Sequence, residues 1–199
     1  MSGGPAPDVV VFNNHGVGQY VRVHKAPVMG ETVLGMGWKL EQDGGKGSNA
    51  AIALGRLGVR TAFMGLLGDD PWGRMGLEWM QDAGVTTCTG LIAVDDAGRN
   101  LIIVGESSTN HMTHGEIQED LEAFSGARIF VSGFEIDHRL AMHAVRLAHA
   151  RGMRTLLNVS PVPEQPPDDL RDVDIAVINE TEGLALLGLG ADSAMPFED

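Results

Sequence analysis

The 199 residues carry 14 Lys and Arg against 27 Asp and Glu, a formal charge of −13. That balance argues against nucleic acid or an anionic membrane as partner, because both are bound through Lys and Arg. The lone cysteine, Cys88, rules out an internal disulfide framework, and no apolar stretch approaches the ~18 residues needed to cross a bilayer. The first five residues have neither a basic nor an apolar region of the kind that marks a signal peptide, so a cytoplasmic protein is expected. Its 27 glycines are about twice the usual ~7% share and imply many tight turns.

Residues 8–12 form a short β-branched apolar run, expected as a buried strand. The polar patch Asn13-Asn14-His15-Gly16 closes it. Residues 19–40 alternate loosely around Pro27 and Gly30, which predicts two antiparallel strands with one face in solvent. Gly44-Gly45-Lys46-Gly47 then opens a helix over 48–57, stopped by Gly58. A strand at 61–67 and a helix at 72–83 follow. Residues 85–104 read as a second β excursion, with its turn at Asp95-Asp96-Ala97-Gly98. Helices are expected at 116–124 and 137–151, and strands at 128–131, 155–159 and 174–178. A last helix opens at Asn179, and residues 188–199 look irregular. Strands alternating with helices predict an α/β fold with a doubly wound parallel sheet, and the two excursions predict a small antiparallel β lid beside it.

The glycine cluster is the sharpest local feature. Glycines at a helix N-terminus expose bare N–H groups at its positive end, a place for an anion or a polar ligand. The cluster is not a phosphate-binding Walker loop, because Leu40 and Gly47 stand where glycine and Ser or Thr are required. No histidine set has metal-ligand spacing, and Cys88 reads as a small hydrophobe.

Gly44-Gly45-x-Gly47-x-Asn49-x-Ala51, followed by Gly58 and Gly68, resembles the first signature of the ribokinase-like (PfkB-type) carbohydrate kinases. Gly30-Glu31-Thr32-Val33, Gly68-Asp69-Asp70-Pro71-Trp72-Gly73, Phe134-Glu135, Asn158-Val159-Ser160-Pro161 and Asn179-Glu180-Thr181-Glu182 resemble further family motifs in the family's order. The resemblance spans residues 8–188 as one α/β domain, with lid segments at about 17–42 and 86–105 and an irregular tail at 189–199. It implies ATP-dependent phosphorylation of a sugar hydroxyl, with Mg²⁺ as cofactor and a homodimer joined through the lid. A nucleoside kinase of the same family and a non-catalytic carbohydrate-binding protein are the alternatives.

Carried over residue by residue, the resemblance implies sugar contacts from Asn14, Gly44, Gly45, Lys46, Asn49 and Glu135. Asn179 and Glu182 are implied near the phosphate, Glu182 as a magnesium contact. The stretch after the first strand holds no Asp where ribokinases carry one, and His15 is the expected substitute contact. The family's glycine-rich segment with its catalytic Asp does not occur in these residues. The chain is therefore expected to be a C-terminally incomplete fold that carries the sugar-binding half, with little or no turnover alone. Structural roles stand beside these. Glu135 could be an N-terminal charge for the 137–151 helix, Asn179 and Glu182 form a capping-box pattern, Asn158 could simply close a strand, and Trp38 could be a buried dimer contact.

Overall fold

The structure, a computed structural model, describes residues 6–41, 44–80, 88–94, 100–104 and 107–190. Its first strand is β1 (Val9–Phe12), four apolar residues that are all buried. β4 (Thr61–Met64) lies parallel to it on one side, with Val9 opposite Thr61. β7 (Ile129–Gly133) lies parallel on the other, with Val9 opposite Ile129. β8 (Arg154–Asn158) and β9 (Ile175–Val177) extend that flank, giving the order β4-β1-β7-β8-β9. The two faces of β1 follow the strand period of two. Val10 and Phe12 pack with Ile117 and Leu121 of α3 (His114–Ala123) and with Ala141 and Val145 of α4 (His138–Ala150). Val9 and Val11 pack against Ala51 of α1 (Gly45–Arg56). With helices on both faces of a parallel sheet, the fold is the doubly wound α/β arrangement predicted from the sequence.

Connectivity decides where a ligand can sit. After β1 the chain leaves the sheet as β2 (Gly16–Arg22) and β3 (Trp38–Glu41), then returns through α1 to β4 on one side of β1. It passes through α2 (Pro71–Met80), leaves again as β5 (Cys88–Val94) and β6 (Asn100–Val104), and returns through α3 to β7 on the opposite side. β1 is thus where the winding reverses. In open α/β sheets that point opens a crevice beyond the C-terminal strand ends.

β2, β3, β5 and β6 form the lid as one four-stranded sheet, ordered β3-β2-β5-β6. Both excursions pair antiparallel as expected, β2 with β3 and β5 with β6. The two halves join through a parallel pairing of β2 with β5, which makes the sheet mixed. The turn expected at 95–98 lies outside the described residues, as do residues 191–199 of the expected tail. Other boundaries shift for local reasons. β4 stops at Met64, because the Leu66 N–H goes to Thr109 Oγ1 instead of a neighbouring strand. α3 starts two residues before the predicted helix, at a capping box in which Thr113 and Glu116 each accept the other's backbone N–H. Among the described residues no helix is long and apolar enough to cross a membrane.

Candidate sugar-binding site

The residues after β1 stay buried although they are polar. Asn13 accepts from the Asn14 N–H at 2.8 Å, and its carbonyl accepts from Thr109 Oγ1 at 3.3 Å. A side chain at Gly47 would overlap Asn13, and one at Gly133 would come within 2.9 Å of its Nδ2. These two glycines let α1 and β7 close around Asn13, so Asn13 braces the crevice floor.

Asn14 is the residue presented. It is 2% exposed, and its Oδ1 has no hydrogen-bond partner among the described residues. A buried acceptor left unmade costs about 1–3 kcal/mol, so this atom favours any ligand that brings a donor. Gly45, with φ +82°, runs directly beside it: a Cβ there would lie 3.0 Å from both Asn14 Oδ1 and Glu135 Oε2. Glycine therefore meets two demands at this position, backbone conformation and space.

Glu135, on the loop after β7, has a side chain only 5% exposed. Its Oε2 accepts the Lys46 backbone N–H at 2.7 Å, and its Oε1 meets Lys46 Nζ at 2.9 Å. The helix whose N-terminus it serves is α1. The N-cap of α4 is Asp137, which accepts the Arg139 N–H at 2.8 Å and whose carboxyl is held below the usual range chiefly by the Arg139 side chain. Glu135 thus makes a bond across the crevice, while the side-chain cap of α4 comes from Asp137. Its carboxylate already fills the anion-attracting end of α1. The remaining space suits neutral hydroxyls better than a phosphate.

Gly44 is the N-cap of α1 and is buried; its carbonyl accepts from Gly16 N–H at 2.9 Å and from Ser48 Oγ at 2.8 Å. Asn49 turns its Oδ1 back to the Gly44 N–H, at 3.3 Å, from an exposed position. His15 was expected to touch the sugar. It is 1% exposed, and its ring packs between Ser48 of α1 and Gly76 of α2, behind the crevice wall. Burial pushes its imidazole down to about 4, so it is neutral at pH 7.

Asn179 and Glu182 form the capping box of α5 (Glu180–Leu186), each accepting the other's backbone N–H at 2.8 Å. They follow β9 at the far flank, away from the Asn14, Gly45, Lys46 and Glu135 group. Among the described residues no group of three or more His, Cys, Asp or Glu could hold a metal ion. Glu182 Oε1 is the oxygen of that carboxylate not engaged in the box. A lone carboxylate oxygen is of a type that reaches Mg²⁺ through water rather than holding it by itself.

Asn158, at the end of β8, was not among the expected sugar contacts. Its carbonyl accepts the Phe134 N–H at 3.2 Å, and its Oδ1 is a second buried acceptor without a partner among the described residues. The sequence signal was an Asn closing a predicted strand. Beside Glu135, a cleft of about 340 Å³ runs along Asn110, Phe134, Asp137, His138, Pro161 and Pro163.

The pattern of the pfkB family carbohydrate kinases matches residues 29–194. A Staphylococcus aureus ribokinase is 29% identical over 202 residues, covering 96% of this chain and 66% of that protein. A bifunctional ribokinase/ribose-5-phosphate isomerase A from Fructilactobacillus sanfranciscensis is 29% identical over 192 residues, covering 91% of this chain and 36% of that protein. The chain thus spans between about a third and two thirds of these relatives. Among solved structures, a ribokinase from Giardia lamblia superposes with a TM-score of 0.83 at 22% identity, covering 96% of this chain and 62% of that one. An Arabidopsis thaliana ribokinase complexed with ribose and ATP superposes with a TM-score of 0.75 at 25% identity, covering 95% and 65%. With a family pattern across most of its length and the matching fold, the chain belongs to the pfkB family of carbohydrate kinases.

Proposed function

We propose that the protein phosphorylates a hydroxyl of a small sugar with ATP and Mg²⁺, and that these 199 residues supply the surface that grips the sugar. The observation that carries this is the convergence of Asn14 Oδ1, Gly45 and the Lys46–Glu135 pair at the sheet's reversal point. A sugar hydroxyl lying against the Lys46–Glu135 pair can accept from Nζ and donate to the carboxylate, while a second donates to Asn14 Oδ1. Such a set of convergent donors and acceptors orients a neutral polyol. Gly44 shapes this surface through its backbone, and Asn49 supports it from the first turns of α1. Asn179 and Glu182 serve the phosphate and magnesium end. The relatives' names, ribokinase and deoxyribokinase, favour a pentose.

A homodimer through the lid belongs to the same reading. Val28, Met29, Leu34 and Trp38 project apolar side chains into solvent from this segment, an arrangement suited to a partner surface. Phosphoryl transfer depends on positioning and charge stabilisation, and the family's glycine-rich catalytic segment does not occur in this sequence. Little or no turnover is therefore expected from the chain alone.

Calorimetric titration with ribose, 2-deoxyribose, fructose and adenosine tests the reading, with ADP release followed alongside in Mg-ATP. One of these ligands should bind. Asn14→Ala and Glu135→Gln should each weaken that binding by about 1–3 kcal/mol. No binding by any of the four, or binding that neither variant changes, contradicts the proposed site. Sugar-dependent ADP release contradicts the expectation of inactivity.

A further inference from the structure

His15 lies outside the crevice yet touches what shapes it. Its Nδ1 is 2.7 Å from Ser48 Oγ. Ser48 Oγ is also 2.8 Å from the Gly44 carbonyl and 3.3 Å from the Asn14 carbonyl. A hydroxyl has one proton, and carbonyls can only accept. If that proton goes to the nearer carbonyl, Nδ1 must supply its own to Ser48 Oγ. In that tautomer the chain is directed from His15 Nδ1–H through Ser48 O–H to Gly44 C=O. The same carbonyl accepts the Gly16 N–H at 2.9 Å. A peptide unit is planar and trans, so fixing the Gly44 carbonyl also fixes the Gly45 N–H on the opposite side and sets the start of α1. The glycines show how close the fit is. A Cβ at Gly44 would come within 2.7 Å of His15 Nδ1, and one at Gly76 would overlap the far side of the ring.

We propose that His15 is a positioning residue: through Ser48 it holds the Gly44 turn so that Gly45 and Lys46 meet Asn14 and Glu135 in one geometry. This rests on the sugar-binding reading above for its purpose, though not for its mechanism. It accounts for a fully buried imidazole at the root of the lid, where strand packing alone would take an apolar side chain. A neutral ring suits the role, because its Nδ1–H tautomer donates one proton to Ser48 and places no charge in the interior.

Three variants separate positioning from plain stability. Ser48→Ala cuts the chain and leaves the ring. His15→Asn keeps a donor near the Nδ1 position and leaves a void beside Gly76. Two quantities are compared with the melting temperature: amide exchange at Gly16 and Lys46, and ribose affinity by calorimetry. Ser48→Ala is expected to speed exchange at Gly16 about tenfold and to weaken ribose about tenfold. His15→Asn is expected to keep both within about threefold while melting earlier, since a void lowers stability without freeing the carbonyl. Unchanged exchange in Ser48→Ala overturns the proposal, and so does unchanged exchange at Gly16 in His15→Leu, which fills the site without a donor, or His15→Asn losing local protection in step with its melting temperature. If wild type binds no ribose, exchange alone decides the His15 proposal, and the pentose reading is what fails.

Discussion

His15 has a pH signature that follows from its burial. Its ordinary value is 6.5 and its folded value is about 4, lowered by desolvation. The unfolded chain therefore takes up a proton that the folded chain refuses. Stability is unaffected above about pH 6.5, falls as pH drops toward about 4, and the loss from this group amounts to roughly 3 kcal/mol at the acid end. Melting curves between pH 7 and pH 4 should show that decline in wild type and a shallower one in His15→Asn. Parallel curves for the two proteins would show that another group controls the acid limb. At this scale the sequence was informative about residue identity and silent about direction. Asn14, Lys46 and Glu135, far apart in sequence, are brought together beside Gly45. That His15 turns inward depends on Gly76, a residue 61 positions away whose missing side chain makes the space.

Among the elements, α3 shows how much a helix start owes to its cap. Its first turn is fixed by Thr113 and Glu116, and its core face is supplied by Ile117 and Leu121. Thr113→Ala should cost about 1 kcal/mol. In a protein of this size that is a fall of roughly 2–4 °C in melting temperature. A fall beyond about 8 °C would mean the hydroxyl also supports the 3₁₀ turn Ser108–His111 just before it. The parallel strands could be read from their apolar composition, because burial on both faces leaves continuous runs such as Val9–Phe12. The β2–β5 pairing could not. It joins residues about 70 apart, such as Gly18 and Gly90, and neither strand's own pattern selects that neighbour. Turn chemistry predicts which strands form hairpins and says nothing about how two hairpins lie side by side.

For the whole molecule, the outstanding feature among the described residues is apolar surface left in solvent on the lid segment and on the sheet edge at β9, where Ile175, Val177 and Ile178 are exposed. If the lid joins two copies, replacing its largest exposed side chain should separate them. Trp38→Lys is expected to shift sedimentation from dimer to monomer at micromolar concentration without changing the melting temperature of the α/β core. A wild-type monomer at those concentrations would contradict a lid-mediated dimer. A dimer that persists in Trp38→Lys and is lost in Val177→Lys would place the contact at the β9 edge. The charge of −13 opposes nonspecific association of either face.

The central claim is that a sugar occupies the crevice where the sheet reverses, between Asn14, Gly45 and the Lys46–Glu135 pair. Amide NMR of the chain titrated with ribose tests it most directly, because it reports where the ligand sits and does not depend on turnover. The account predicts saturable shifts at Asn14, Gly45, Lys46 and Glu135, with β9 and α5 unmoved. Saturable shifts confined to other surfaces, or none at millimolar concentrations of ribose, 2-deoxyribose or fructose, would contradict it.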